Sequence, residues 1–322
     1  MSADALADVF VCGKFTLSLR RPLVMGVVNI TPDSFSDGGD YFDVGRAVAR
    51  AEQLVSEGAD ILDLGGESSR PGSAPVTLDE ERRRVLPVLD KIVSLGVPVS
   101  VDTSKPEIMH AALAGGASMI NDIFALRNPG AIDVIAASDA GICLMHMQGR
   151  PKHMQREPVY GDVLSEVSEF LHERAQCLLT RGIDAKRIVL DPGFGFGKTL
   201  QHNLELLHEI TTIVALGFPV LVGLSRKSLL GGITGQSDAK SRLGSSVAAA
   251  LVAVANGASI VRAHDVAETR DALLVWQAAA KHAVKSSVTV SDSAASIGAV
   301  SNEAVSNEAV PNEAVPNEAI ST

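Results

Sequence analysis

The chain has 322 residues, of which 46% are hydrophobic, and its formal net charge at pH 7 is -10. The length and the hydrophobic fraction allow a large core, whereas the acidic balance argues against nucleic-acid binding as the main role. The sequence contains no apolar run of about 18 residues, so we expect no membrane span.

The N-terminal segment lacks an export signal, and the cysteines form no recognisable motif. The first residues, MSADALADVF, have neither the basic start nor the apolar stretch of a secretion signal. Cys12, Cys143 and Cys177 show neither a CxxC motif nor a Cys/His zinc spacing. We therefore expect reduced thiols without a catalytic role, in a cytoplasmic protein.

Residues 10–19 contain two short apolar runs around Gly13 and Lys14, which predict a β-hairpin before the main domain. After this hairpin, apolar strand-like runs alternate with helix-like segments. The predicted strands cover residues 23–29, 60–65, 97–102, 118–122, 141–146, 187–191, 219–223 and 259–263. Helical patterns between them include 44–57, 78–94, 162–181 and 241–256, and Pro87 should kink or interrupt the second of these.

This alternation predicts the fold class. Most of the strands are nearly continuously apolar, as in parallel sheets that are buried on both faces. Eight strand–helix units are the number that closes an α/β barrel of the (β/α)₈ or TIM type. We predict such a barrel, with the N-terminal β-hairpin attached, over residues 1–285, and an open, doubly wound sheet is the alternative.

Residues 286–322 differ from the rest of the chain. They contain no Lys, Arg or aromatic residue, and the tetrapeptide Asn-Glu-Ala-Val recurs at 302, 307 and 312. This period of five residues matches neither a helix face nor a strand face. Pro311 and Pro316 also disfavour a helix. We predict a disordered, low-complexity acidic tail, and we leave open whether it binds a partner.

Polar or ionisable residues follow every predicted barrel strand at its C-terminal end, where barrel enzymes place their active sites. One such residue could simply cap the next helix, but a full set after apolar strands indicates a shared site. The set comprises Asn29, Glu67, Asp102, Asn121, Asp122, His146, Asp191, Ser225, Arg226, Lys227, Arg262 and His264.

The chemistry of these residues suggests two kinds of contact. Asp102, Asn121 and Asp191 suit a flat heterocycle that presents several N–H donors, such as a pterin or purine edge. Lys227 can donate to the same ring. Asn29 could orient a phosphate or a Mg²⁺ ion that bridges its oxygens. A potentially cationic group suited to that phosphate consists of Arg70, Arg262 and His264.

Two further motifs suggest other functions, but each lacks a residue that its function would need. The segment DPGFGFGKT resembles a phosphate-binding loop, but Pro192 stands where the first glycine of that motif is required. Its glycines instead predict a flexible loop that lets Phe196 and Lys198 approach a ligand. His146 and His153 could bind a metal, but no carboxylate lies at ligand spacing.

A series of longer motifs resembles dihydropteroate synthase. From about residue 20 to about residue 282 they follow the order of that family: NITPDSFSDGG, GGESSRPG, SVDTSKPE, INDI, LMHMQG, LDPGFGFGK, GLSRKS and RAHDV. The resemblance implies a barrel that joins 4-aminobenzoate to (7,8-dihydropterin-6-yl)methyl diphosphate and releases diphosphate. It also implies a transferase of folate biosynthesis that uses Mg²⁺, forms homodimers and is a target of sulfonamides.

The resemblance further implies roles for individual residues. The pterin would be held by Asp102, Asn121, Met145, Asp191 and Lys227. The diphosphate would be held by Asn29, Arg262 and His264, with Arg70 close by. The pocket for 4-aminobenzoate would be shaped by Ser69, Pro71, Phe196 and Ser225. The family often has Thr at the position of Ser69, so here the hydroxyl is kept and a methyl group is lost.

The loop after the first barrel strand, TPDSFSDGG, combines turn-forming residues with one aromatic side chain. We hypothesise that it closes over the site during the reaction. Asp33 or Asp37 would then favour the cation at the pterin methylene, and Phe35 would exclude water from the aminobenzoate side. The alternative for Phe35 is an ordinary core position.

Two other functions would share the barrel and the pterin contacts. One is a pterin-binding module that presents a methylated folate to a corrinoid partner, and such a module would not need the TPDSF loop or the pair Arg262 and His264. The other is a paralogue that binds a pterin phosphate without catalysis. Release of diphosphate in the presence of both substrates distinguishes a synthase from both.

Overall fold

The computed structural model describes residues 8–30 and 40–280. Near the N-terminus, strands β1 (Val9–Cys12) and β2 (Phe15–Ser18) pair antiparallel and form the predicted hairpin. Gly13 begins the turn with a φ of 55°, a left-handed conformation that glycine adopts without steric cost. The Gly13 amide also donates to the carbonyl of Asp139 (2.9 Å), which attaches the hairpin to the main domain.

Eight parallel strands form the main sheet, in the order β8–β7–β6–β5–β4–β3–β10–β9. A parallel bridge between Leu190 in β8 and Val220, next to β9, joins the two ends of this order. The sheet is therefore closed, which confirms the predicted (β/α)₈ barrel and excludes the open sheet. The strands are β3 (Leu23–Asn29), β4 (Ile61–Gly65), β5 (Val99–Asp102), β6 (Met119–Asp122), β7 (Gly141–Met145), β8 (Ile188–Asp191), β9 (Leu221–Val222) and β10 (Ile260–Ala263).

Helices surround the barrel between its strands. They are α1 (Asp40–Ser56), α2 (Leu78–Ile92), α3 (Pro106–Ala114), α4 (Ala131–Ala136), α5 (Val163–Thr180), α6 (Leu200–His208), α7 (Ile210–Val214), α8 (Ser228–Thr234) and α9 (Leu243–Ala255), followed by a helix described over 266–280. Short 3₁₀ turns cover Ala185–Arg187 and Lys240–Arg242.

Helix α2 continues through Pro87, so the predicted interruption is wrong. Proline removes one helical hydrogen bond, but two features stabilise this helix on either side. Thr77 caps its N-terminus by accepting a hydrogen bond from the amide of Glu80. Val85 and Val88 bury its inner face against the barrel.

Alternate residues of each strand face opposite sides of the barrel wall. In β3, Val24 belongs to the large core between strands and helices, whereas Leu23 and Met25 belong to a smaller cluster inside the barrel. Phe10 and Cys12 of the hairpin complete this inner cluster, and both are fully buried. The hairpin therefore closes the N-terminal end of the barrel.

Parts of the sequence-based prediction concern residues outside the described ranges. These are the TPDSFSDGG loop at 31–39 and the tail at 286–322, so the domain boundary at 285 stays a prediction. In the part of the chain that the structure describes, no helix is long and apolar enough to cross a membrane. The cysteines are free thiols, and burial raises the pKa of Cys12 to about 12, which disfavours a reactive thiolate.

Candidate active site

The register of the parallel strands brings several predicted site residues into one layer at the C-terminal end of the barrel. Asn29 in β3 pairs with Gly65 in β4, Gly65 pairs with Asp102 in β5, and Asp102 pairs with Asn121 in β6. These positions have the same parity as the apolar residues inside the barrel, so their side chains point inward. Further inward residues of this end include Asp191 in β8 and Arg262 in β10.

A buried acidic network lies beneath this layer, and its centre is Asp63, a residue that the strand-end pattern did not indicate. Asp63 is fully buried in β4. Its Oδ2 accepts hydrogen bonds from Arg262 Nε (2.6 Å) and from Asn121 Nδ2 (3.2 Å). Among the described residues, neither Asp63 Oδ1 nor Asn121 Oδ1 finds a donor. Buried acceptors without donors are costly, so a ligand with N–H groups would be favoured here.

Asp102 and Asp63 both accept hydrogen bonds from the guanidinium group of Arg262. Arg262 Nη2 donates to Asp102 Oδ2 over 3.3 Å, which is longer than the 2.6 Å bond to Asp63. One guanidinium group thus faces two carboxylates. Burial, together with the negative charge of Asp63, raises the pKa of Asp102 to about 8. This carboxyl group is therefore protonated in part at neutral pH and can both accept and donate a hydrogen bond.

Asp191 and Lys227 contact the glycine-rich loop that follows β8. The Gly193 amide donates to Asp191 Oδ1 over 2.7 Å. Lys227 Nζ donates to the carbonyl of Phe194 and lies 4.5 Å from the centre of the Phe196 ring. Burial raises the pKa of Asp191 and lowers that of Lys227 to about 8, and each group opposes the shift of the other. The pair offers an acceptor and a donor to one polar heterocycle.

An apolar wall lies beside this pair. Met145 is the register partner of Asp191 across β7 and β8, and it is buried. It forms a cluster with two more methionines and with the partly buried rings of Phe124 and Phe196. A flat ring that is bound by Asp191 would find a polarizable surface next to it.

His264 follows β10 and faces the turn after β9. Its Nδ1 lies 3.1 Å from Ser225 Oγ, and its backbone amide donates to the same oxygen over 3.2 Å. Burial, followed by the charge of Arg262, lowers the pKa of His264 to about 3. The sequence predicted a potentially cationic side chain at this position, but with this lowered pKa the imidazole is neutral at pH 7. The charge of Arg70 contributes in the same direction to this lowering of the pKa of His264.

A cavity of about 650 Å³ extends from Asp102 to the loop after β4. Ser69 lines this cavity. The Gly72 amide of the same loop donates to the carbonyl of Pro151 over 3.0 Å, which attaches the loop to the segment after β7. The cavity is large enough for a small organic substrate. Two other predicted site residues, Arg70 and Pro71, follow Ser69 in this loop and are exposed.

Three residues of the strand-end set have structural contacts instead. Glu67 forms an ion pair with Lys105. The carboxylate of Asp122 accepts two backbone amides of the following turn, each over 2.8 Å. His146 is buried, and its Nδ1 lies 3.0 Å from Lys198 Nζ. Strand-end position therefore brought together polar residues at one end of the barrel, but it did not separate residues that are free to face a ligand from those that hold the loops.

Residues 8–30 and 40–280 contain no group of three or more His, Cys, Asp or Glu side chains that could hold a metal ion. A site built on His146 and His153 thus gains no support. Asn29 Oδ1 and Asp102 Oδ2 both approach Gly65, at 3.7 and 4.0 Å from the point where a β-carbon would stand there. Oxygen donors of this kind suit Mg²⁺, which usually adds phosphate oxygens and water as ligands, so Asn29 fits a metal ligand.

Three residues with expected catalytic roles lie outside the described residues, and they are Asp33, Phe35 and Asp37. Every other residue that the sequence assigned to the site lies at the C-terminal end of the barrel or in a loop that follows a strand there.

A closed parallel barrel with buried acceptors and a partly buried guanidinium group at its mouth defines a ligand-binding barrel of the α/β class. The sequence model of the family described as pterin binding enzyme matches residues 25–264. This match covers more than half of the chain, and the chain belongs to that family.

Within this family, the chain is similar to dihydropteroate synthases, as its motifs indicated. The dihydropteroate synthase of Neisseria meningitidis serogroup C is 53% identical over 274 residues, which are 84% of this chain and 97% of the relative. The structure of the Xanthomonas albilineans enzyme with 4-aminobenzoic acid has a TM-score of 0.80 at 50% identity and covers 85% of this chain and 98% of that one. The Burkholderia cenocepacia enzyme with 7,8-dihydropteroate has a TM-score of 0.79 at 48% identity, with 86% and 98% covered.

Proposed function

We propose that the protein is a dihydropteroate synthase. This transferase of folate biosynthesis joins 4-aminobenzoate to (7,8-dihydropterin-6-yl)methyl diphosphate and yields 7,8-dihydropteroate and diphosphate. The observation that carries the proposal is the inward layer of Asp102, Asn121 and Asp191 at the mouth of a closed barrel. These acceptors suit the N–H-rich edge of a pterin, and the B. cenocepacia relative was solved with the reaction product.

The pterin would bind deepest in the mouth. Asp102, Asn121 and Asp191 would accept its ring and exocyclic N–H groups, and Lys227 would donate to a ring acceptor. Asn121 Oδ1, which has no donor among the described residues, supports this assignment. Met145 and the neighbouring apolar wall would contact one face of the ring.

The diphosphate would bind towards Arg262, His264 and Arg70. A guanidinium group has five N–H donors, of which two point to Asp63 and Asp102. The neutral imidazole of His264 can donate through one ring nitrogen while the other faces Ser225. These donors would stabilise the negative charge that develops as the diphosphate leaves with the bonding electrons.

We further propose that the enzyme uses Mg²⁺, with the amide oxygen of Asn29 as a protein ligand. When bound, this ion supplies positive charge to the leaving diphosphate. The oxygen chemistry of Asn29 and its place beside Asp102 support the assignment.

The amine of 4-aminobenzoate would form the new bond. The carbon–oxygen bond of the methylene breaks, the pterin ring delocalises the resulting charge, and the aniline nitrogen bonds to the methylene and then loses a proton. An aniline is weakly basic and is already unprotonated at neutral pH, so no strong general base is required. The pocket would be shaped by Ser69, Pro71, Phe196 and Ser225, and covered by the segment with Asp33, Phe35 and Asp37.

Incubation of the purified protein with both substrates and Mg²⁺ tests this function. We expect diphosphate and dihydropteroate in equal amounts, and we expect no diphosphate above background when 4-aminobenzoate is omitted. Release no faster than in the absence of protein would contradict the synthase proposal. The same result would favour a protein that binds a pterin or a pterin phosphate without catalysis.

We also propose that the protein is a cytoplasmic homodimer. Helices α6, α8 and α9 carry exposed apolar side chains, and such surfaces commonly mark contacts between proteins. Analytical ultracentrifugation should give twice the chain mass of 33.6 kDa, and a mass of one chain would contradict the dimer. The exposed side chains on these helices are Leu200, Leu204, Ile233 and Val252.

The free thiols of the described cysteines fit a cytoplasmic location.

A further inference from the structure

Lys198 is a buried cation that the proposed mechanism does not use. Its side chain is 2% exposed. Its Nζ contacts Nδ1 of His146 (3.0 Å) and the carbonyls of Gly193 (3.0 Å), Phe196 (3.2 Å) and His146 (3.4 Å). An ammonium group has three donors and no acceptor, so this shell of acceptors satisfies it completely.

The partner His146 is suited to accept a hydrogen bond from Lys198. Burial, followed by the charge of Lys198, lowers the pKa of His146 to about 3, so its ring is neutral and has a lone pair. Burial also lowers the pKa of Lys198 to about 7, while Asp191 opposes this shift. All four contacts of Nζ are made by groups that can accept, which favours the charged amine.

Two of these carbonyls belong to the glycine-rich loop over residues 193–197. Gly193, Gly195 and Gly197 have φ values of 69°, 76° and 62°. A β-carbon at Gly193 would lie 1.9 Å from the carbonyl oxygen of His146, and one at Gly197 would lie 2.4 Å from that of Gln148. Because glycine has little backbone preference of its own, a loop of this kind needs outside contacts to hold one conformation.

The same loop orients two of the proposed pterin ligands. The Gly193 amide donates to Asp191 Oδ1, and the Phe194 carbonyl accepts from Lys227 Nζ. A path of direct hydrogen bonds therefore leads from Lys198 through Gly193 to Asp191. Any change in the loop would move the donor that orients this carboxylate and the acceptor that orients Lys227.

We propose that Lys198 is a positioning residue of the pterin site. Its ammonium group fixes the glycine-rich loop in the conformation that presents Asp191 and Lys227 to the ligand. This inference deepens the proposed function and rests on it. Asn203 supports the loop from the other side, since its Oδ1 accepts the Gly195 amide over 2.7 Å.

The test compares Lys198→Met with Arg187→Met. Arg187 is a matched control because its side chain also donates to backbone carbonyls, here those of Ala140 (2.9 Å) and Ile135 (3.0 Å), at the opposite end of the barrel. Two quantities are measured for the wild type and both variants. Calorimetry gives the affinity for the pterin diphosphate, and hydrogen exchange gives the protection of the loop amides of Gly193, Gly195 and Phe196.

We expect Lys198→Met to weaken pterin binding about 10-fold or more and to speed the exchange of the loop amides. Arg187→Met should leave both quantities at the wild-type level. Wild-type affinity in Lys198→Met, or an equal loss in both variants, would overturn the proposal, because a merely structural lysine would not act on the pterin site selectively.

A second variant covers the case in which Lys198→Met does not fold. Lys198→Gln keeps an amide that can donate to two carbonyls, so we expect a smaller loss of the same kind, and unchanged affinity and exchange would overturn the proposal. If the wild type itself binds no pterin diphosphate, the proposed function fails. The exchange of the loop amides then still decides whether Lys198 fixes the loop.

Discussion

At the scale of single residues, the balance of charge at the barrel mouth determines which ligand can bind there. Arg262 faces Asp63 at 2.6 Å and Asp102 at 3.3 Å. The charge of Arg262 is thus already balanced by Asp63, and these acidic groups disfavour a further anion at this depth but accept an uncharged ring with N–H donors. The diphosphate is therefore expected nearer to His264 than to Asp63.

Asp102→Asn should stabilise the protein relative to the wild type increasingly as the pH rises. In the unfolded chain this carboxyl group ionises near pH 4, whereas in the folded protein its pKa is about 8. The folded state holds the extra proton between these values, so wild-type stability falls as the pH rises from about 4 to about 8 and levels off above that. Asparagine has no such proton, and the difference in unfolding free energy should grow by about 3 kcal/mol between pH ~6 and pH ~9. Urea unfolding at both pH values measures it, and a pH-independent difference would contradict this electrostatic account.

Asp191→Ala should weaken pterin binding by roughly 30-fold or more, because loss of a charge-assisted hydrogen bond costs about 2 kcal/mol. Asp191→Asn is the control, since its amide oxygen can still accept the Gly193 hydrogen bond that the wild type makes. The loss in Asp191→Asn should be smaller. Calorimetry with the pterin diphosphate measures both variants, and unchanged affinity in Asp191→Ala would remove this residue from the site.

At the scale of secondary-structure elements, the period of two along each strand decides which side chains reach the site. In β4, Ile61 belongs to the inner apolar cluster and Asp63 to the polar network above it. Glu67, which strand-end position emphasised, lies beyond the strand and pairs with Lys105. The apolar runs were sufficient to predict the barrel, and the strand ends indicated where its polar side chains gather. To predict Asp63 as a site residue, one must consider which alternate positions of the strand point into the barrel. A search restricted to strand ends does not use this alternation.

Contacts between distant segments account for what local patterns could not predict. Lys198 contacts His146, which lies 52 positions earlier in the sequence. No residue next to either one in the sequence indicates that the two are in contact. The neutral state of His264 likewise depends first on burial in the folded barrel, where the ring faces Ser225 from 39 positions away. Such properties arise only when the barrel closes, so composition and periodicity do not predict them.

Phe35→Ala tests the loop at 31–39, whose role rests on the sequence and on the reaction. If Phe35 excludes water from the aminobenzoate side, the variant should raise the KM for 4-aminobenzoate by more than it weakens binding of the pterin diphosphate. Phe15→Ala is a matched control, because Phe15 lies in the hairpin at the other end of the barrel. Steady-state kinetics and calorimetry measure the two effects. Equal losses for both substrates, or none, would count against this role.

At the scale of the whole molecule, the barrel separates stability from ligand binding along its axis. The N-terminal end is filled by Phe10 and Cys12 of the hairpin together with inward residues such as Met25 and Met119. The C-terminal end instead buries ionisable groups and acceptors that find no donor within residues 8–30 and 40–280, which lower stability and favour a ligand. Changes in packing at the N-terminal end should therefore alter stability while leaving affinity intact.

Gly141→Ala is the sharpest test of this separation. A β-carbon at Gly141 would lie 2.5 Å from Phe10 Cζ and 2.7 Å from Cys12 Cβ, so the hairpin must shift to accommodate it. We expect the unfolding free energy to fall by about 1–3 kcal/mol, as for other overpacked cores. At a temperature where the variant is folded, its affinity for the pterin diphosphate should equal that of the wild type.

Gly244→Ala provides the control for Gly141→Ala. Gly244 lies in α9, and a β-carbon there would meet nothing within 4 Å among the described residues. Alanine in a helix is favoured over glycine by up to about 1 kcal/mol, so this variant should be neutral or more stable. Urea unfolding and calorimetry on both variants complete the comparison. Equal stabilities of the two variants would contradict the cost expected from the clash at Gly141. A loss of pterin affinity in Gly141→Ala that matches its loss of stability would show that the two ends of the barrel are coupled, because strain at the hairpin would then reach the strand ends that hold the ligand.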